Sequence, residues 1–141
     1  MAKEIAGIIE EAGIKTAIYP DAEPNPTDKN VHNGIDVFNK EKFDLIVSLV
    51  GGSSLHCAKG IGIVAGNGGN ICDYECVDKS TKPVITLIAV KTTTGTASEI
   101  ARFCIITDTD RYIKMAIVDW LCFSWFVKQL STTSCRKTLE N

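Results

Sequence analysis

Two apolar runs constrain this chain more than anything else in it. Residues 45–50 read LIVSLV and residues 84–90 read VITLIAV, each broken by a single hydroxyl. A strand without polar alternation has to be covered on both faces, and helices do that in a parallel α/β sheet. Each run passes straight into a loop of small residues, GGSS at 51–54 and KTTTGTAS at 91–98. The stretch between the two runs begins as a helix, predicted over residues 53–65.

The flanking segments fit the same alternation. Residues 2–12 place Ile5, Ile8 and Ile9 at helical spacing and stop at Gly13. Residues 14–19 form a short, partly apolar strand candidate, and the prolines in 20–26 make a loop. Thr27 has the chemistry of an N-cap, with Asp28 in the first turn of a helix whose apolar stripe is Val31, Ile35 and Phe38. Residues 66–69 form a loop. Segments 103–107 and 115–118 flank the polar turn DTDR, which predicts a β-hairpin, with Asp108 and Asp110 as turn formers. In such sheets ligands lie beyond the carboxyl ends of the strands. The loops at 20–26, 51–54 and 91–98 leave those ends.

A chain of 141 residues supports one domain with its own core. Its net charge of −2 gives no electrostatic reason for nucleic acid or an anionic membrane. No apolar run approaches a membrane span, and the start MAKEIAGIIEEAG is not a secretory signal. A cytoplasmic location is therefore expected, with reduced thiols at Cys57, Cys72, Cys76, Cys104, Cys122 and Cys135. Cys72 and Cys76 have a spacing that suits a metal. A structural site needs two further ligands at matching spacing, and the only histidines are His32 and His56. No metal is expected, and most of the thiols act as small hydrophobes.

The loop chemistry points to an anion. The first amides of a helix lack partners and carry partial positive charge. Glycine lets a phosphate approach that backbone closely. A strand–glycine–helix junction can equally serve packing alone. The hydroxyls of Thr92, Thr93, Thr94, Thr96 and Ser98 around Gly95 can donate to pyrophosphate and ribose oxygens, or can simply cap a solvated turn. Ser53 and His56 share a helix face, but a Ser-His nucleophile needs an orienting group and an oxyanion hole.

EPNPT at residues 23–27, GGSS, KTTTGTASE at 91–99 and KMAIVD at 114–119 occur in an order and spacing that resemble the iron-containing (group III) alcohol dehydrogenases. The branch of 1,3-propanediol and methanol dehydrogenases is the most similar. The resemblance implies an α/β fold: an incomplete Rossmann-like parallel sheet flanked by helices, with a β-hairpin near the C-terminal end. It implies that Asn25, Gly51, Gly52, Ser53, Thr92, Thr93, Gly95, Thr96 and Lys114 contact a nicotinamide cofactor. It further implies reversible NAD-dependent oxidation of a small primary alcohol to an aldehyde. Iron or another divalent metal belongs to a helical domain that uses one Asp and three His in family members. None of those ligands is matched here, so no catalytic or metal residue is assigned.

Departures qualify these expectations. The family loop is GGGSxxD, whereas Val50 and His56 stand here at its first glycine and its aspartate. Thr94 replaces an alanine, Ala101 lacks the hydroxyl of the family's SEVT pattern, and Lys91 replaces a proline or asparagine. Against the family pattern, the chain is expected to begin after the first strands and the acid that holds the ribose. The resemblance ends at Trp120, so the expected organisation is a partial dinucleotide-binding domain over 1–120 and an unrelated tail over 121–141. That tail has no glycine or proline and a charge of +2, from Lys128, Arg136 and Lys137 against Glu140. The expectation is weak NAD binding, no turnover by the chain alone, and self-association. The alternatives are a non-catalytic nucleotide-binding or subunit-docking fragment, and a truncated product without a role.

Overall fold

A computed structural model describes residues 1–91, 97, 98, 100–119 and 126–129. Its elements run α1 (Ala2–Glu11), α2 (Asp28–Glu41), β1 (Leu45–Val50), α3 (Gly52–Asn67), a 3-10 turn (Ile71–Tyr74), β2 (Cys76–Val77), β3 (Thr86–Lys91), β4 (Phe103–Asp108), β5 (Ile113–Val118) and β6 (Phe126–Gln129). Among the described residues the strands form two sheets. One is parallel, in the order β1-β3-β6; the other, in the order β2-β5-β4, contains the antiparallel β4–β5 hairpin.

This is the expected α/β architecture, with parallel strands flanked by helices and a hairpin toward the C-terminal end. The register Val47↔Ile88 through Val50↔Lys91 ends β1 and β3 at the same level. The chain therefore leaves Val50 and Lys91 side by side. Strand β6 pairs with β3 from Ile88↔Phe126 to Lys91↔Gln129, so part of segment 121–141 joins the sheet.

The core forms where α2 and α3 pack on the hairpin. The stripe Val31, Ile35 and Phe38 meets Cys57, Ile61 and Val64 of α3 and Ile106, Met115 and Ile117 of the hairpin. Two glycines allow the helices to approach this closely. A methyl on Gly34 would lie 2.4 Å from Ile61 Cδ1, and one on Gly60 would lie 2.9 Å from Val31 Cγ2. A smaller cluster, Leu55, Ala58, Leu87 and Ala89, seats the same helix on β3.

Thr27 caps α2 as expected: its hydroxyl accepts from the Asn30 amide, and the Asn30 side chain accepts from the Thr27 amide. The strand expected over residues 14–19 does not form. The segment has no regular structure, and Ile14 and Ile18 are exposed. A short apolar run becomes a strand only with a ladder partner. Here Tyr19 instead turns its hydroxyl to the Asn30 carbonyl, 2.7 Å away. Helix α3 runs beyond its expected limits at both ends, and β3 starts at Thr86 rather than at residue 84.

Candidate functional site: the carboxyl ends of the parallel strands

The site is built on the β1–α3 turn. Gly51 is the N-cap residue of α3, with extended backbone (φ −112°, ψ 176°) and no side-chain cap on the helix. The Ser54 hydroxyl donates to the carbonyls of Leu49 and Gly51, at 2.8 and 2.9 Å, and fixes the turn. A methyl at Gly51 would meet no atom within 4 Å, so space lies in front of this backbone. A small, open depression lies there, lined by Ser48, Gly51, Gly52, Leu55, Ala89, Val90, Lys91 and Ser98. Partially charged helix amides, bare glycine backbone and a buried lysine converge on it.

The expected cofactor residues fall into two described groups. Gly51, Gly52 and Ser53 open α3. Asn25 and Lys114 meet each other, Lys114 Nζ donating to Asn25 Oδ1 at 3.0 Å. Asn25 has a left-handed backbone (φ 57°), a conformation that asparagine tolerates. Loop 20–26 reaches the hairpin through the Thr107 amide, which donates to the Pro26 carbonyl, and through the Thr27↔Thr107 bridge. No hydrogen bond among the described residues joins the two groups. Thr92, Thr93, Gly95 and Thr96 lie outside the described residues, as do Thr94 and Glu99.

His56 does not pair with Ser53. Its Nδ1 accepts from the Ile105 amide at 3.3 Å, and its ring stands edge-on to Phe103. Burial, with Lys59 beside it, holds the imidazole below its ordinary pKa. A neutral ring that accepts at Nδ1 carries its proton on Nε2, which is buried with no partner among the described residues. His32 Nε2 lies 3.2 Å from Asn70 Oδ1.

Asp108 is the turn former expected of it. Its Oδ1 accepts from the Asp110 and Arg111 amides, and its Oδ2 from Arg111 Nε. These bonds hold the carboxyl at about pKa 2, the Arg111 amide contributing most. The same carboxylate approaches Asp28 and Cys72, and this is the one potential metal cluster among the described residues. It does not fit an iron centre. The guanidinium of Arg111 already supplies a cation to Asp108, and burial with the two aspartates pushes the Cys72 thiol up. Nor does Cys72 share this cluster with Cys76, which is exposed. A three-histidine ligand set is impossible in a chain with two histidines.

Sequence reasoning missed Ser54 and Lys59. The signal for Lys59 was present as a lone charge in the apolar helix LHCAKGIGIVA. Its partners are distant in sequence and could not be read there. No described helix is long and apolar enough to cross a membrane.

A parallel β–Gly–α crossover with its turn at adjacent strand ends defines an open α/β sheet, in which ligands lie beyond the carboxyl ends of the strands. Comparison with known proteins narrows the class. The sequence profile of the iron-containing alcohol dehydrogenases matches residues 1–127, and the chain belongs to that family. It is 52% identical over 116 residues to alcohol dehydrogenase 4 of Schizosaccharomyces pombe, covering 82% of this chain and 28% of that one. It is 48% identical over 119 residues to the NAD-dependent methanol dehydrogenase of Bacillus methanolicus, covering 84% of this chain and 31% of that one. Among solved structures, 1,3-propanediol oxidoreductase superposes with a TM-score of 0.86 at 40% identity, over 91% of this chain and 34% of that one. The chain thus spans about a third of the length of the relatives it matches, and corresponds to their N-terminal portion.

Proposed function

We propose that this chain is the NAD-binding part of a metal-dependent alcohol dehydrogenase acting on small primary alcohols and aldehydes. The observation that carries this reading is the register of β1 and β3. It sets the glycine turn and the start of the threonine loop side by side over one pocket. Gly51, Gly52 and Ser53 would hold the pyrophosphate through helix amides, and Thr92, Thr93, Gly95 and Thr96 would close over it. Asn25 and Lys114 would contact the cofactor from the hairpin side. Bound NAD+ supplies the hydride acceptor. The chain's own residues bind and orient it, and the apolar wall of Leu55, Ala89 and Val90 excludes water.

No cluster among the described residues fits the family's metal, so the chain is proposed to be inactive alone. Its role would then be nucleotide binding, or docking onto a full-length subunit. Residues 1–120 would form the cofactor domain and 121–141 a separate tail, although residues 126–129 pair with β3 of its sheet and the family profile runs to residue 127. Self-association is supported by the exposed Ile8, Ile14, Ile18 and Leu45 and by the position of β1 at a sheet edge. A cytoplasmic setting suits the reduced thiols. The test is an NADH-absorbance assay with ethanol, 1,3-propanediol and methanol, run beside an NAD+ titration followed by NMR. The proposal expects saturable binding with a dissociation constant on the order of millimolar, worth about 4 kcal/mol, and no NADH. Turnover with stoichiometric bound iron would refute the inactive-fragment reading, and absence of NAD+ binding would refute the functional one.

A further inference from the structure

Side chains on one face of a strand recur at every second residue. Leu87 and Ala89 of β3 share such a face and pack against Leu55 and Ala58 of α3. Lys91 comes next on that face. It is the last residue of β3, and it is only 8% exposed. Its register partner is Val50, directly before the Gly51 turn. Lys91 therefore lies under the first turn of α3, where it lines the depression with Gly51, Gly52 and the buried Ser48.

Electrostatics disfavours a lysine in this place. The N-terminus of a helix is the positive end of its dipole, and it is stabilised by anions. The first turn of α3 contains no acid, and its N-cap supplies no side-chain acceptor. Burying an ammonium against that end costs stability. A neutral side chain of the same length would fill the space without the repulsion. What the ammonium and the helix amides have in common is that both favour an anion between them. We propose that Lys91 is a binding residue of the cofactor site, its ammonium meeting the same diphosphate oxygens as the first amides of α3. The ligand class is a diphosphate, free or carried by a nucleotide. The family pattern has proline or asparagine at this position, and neither is charged, so the cation is a feature of this chain. This inference rests on the nucleotide-binding reading above.

The test compares the full chain with Lys91→Met, which keeps the length of the side chain and removes its charge. Without ligand, the variant should melt at or above the Tm of the parent by circular dichroism, because a repulsion is relieved; a lysine with a structural role alone would give a lower Tm. In 15N NMR titrations the variant should lose about tenfold or more in affinity for inorganic pyrophosphate, and NAD+ should weaken in the same direction. Added salt should weaken pyrophosphate binding more steeply in the parent than in the variant. A folded variant that binds pyrophosphate as the parent does overturns the inference and leaves the nucleotide-binding reading intact. A parent that binds NAD+ but not pyrophosphate has the same consequence. If the parent binds neither, both fall. Should the variant fail to fold, or melt well below the parent, the 13Cε resonance of Lys91 in the parent decides: saturating pyrophosphate must shift it, and an unmoved resonance overturns the proposal.

Discussion

Replacing Gly51 with alanine should separate folding from binding. The backbone there is extended (φ −112°, ψ 176°), and an added methyl meets no atom within 4 Å. Two small effects set the folding cost. Alanine is a poorer N-cap than glycine by about 0.5–1 kcal/mol, and it removes unfolded-state freedom worth about 0.4–1 kcal/mol. They oppose each other and leave a net change within about 0.5 kcal/mol, or a shift in Tm of about 2 °C for a chain of this size. Binding should respond differently. A pyrophosphate that accepts from the α3 amides needs the space in front of Gly51, and the methyl fills it. The expected loss is at least about tenfold in NAD+ affinity, or about 1.4 kcal/mol. Thermal denaturation followed by circular dichroism gives the first quantity, and NMR titration with NAD+ gives the second. A variant of unchanged Tm that binds NAD+ as the parent does would refute the placement of the phosphate. A large fall in Tm would refute the claim that the space is open.

Three further outcomes follow from the same structure. The Asp108 carboxyl is held at about 2, below its unfolded value, so its stabilising effect is complete above about pH 4 and lost as pH falls toward 2. Asp108→Asn should lower stability at neutral pH and flatten the acid limb of a CD titration, and an unchanged limb would count against the Arg111 pairing. Burial pushes the Cys57 thiol up to about 12 while Cys76 is exposed, so brief alkylation of the native chain should label Cys76 and spare Cys57; mass spectrometry of the peptides reads this, and early labelling of Cys57 would contradict the packing of α3. The purified reduced chain should hold no stoichiometric iron or zinc by elemental analysis, and about one tightly bound metal per chain would show that the Asp28, Cys72 and Asp108 cluster outcompetes Arg111.

Local chemistry was legible in the sequence. The α2 stripe, the Thr27 cap, the β1–Gly–α3 junction and the hairpin with its Asp108 turn all follow from residue spacing, because each rests on contacts a few residues apart. What the spacing could not show depends on partners far along the chain. Residues 14–19 carry a strand-like pattern and find no ladder. His56, which helical spacing sets on one face with Ser53, meets β4. Lys59 looks like a misplaced charge until the carbonyls of 98–103 arrive beside it. Cys72 shares its environment with Asp28 and Asp108, far from it in sequence, rather than with Cys76. Of the expected site, Gly51, Gly52 and Ser53 open α3 beside the pocket, and Asn25 and Lys114 form a separate pair.

The central claim is that NAD+ binds at the carboxyl ends of β1 and β3, and chemical-shift mapping tests it most directly. Uniformly 15N-labelled chain should be titrated with NAD+ and, separately, with inorganic pyrophosphate. The account predicts that both ligands move the amides of Gly51, Gly52, Ser53 and Ser98 first, saturably, with NAD+ alone adding shifts at Asn25 and Lys114. Shifts confined to other surfaces, or none at 20-fold excess over the expected millimolar constant (on the order of 20 mM ligand), would contradict it.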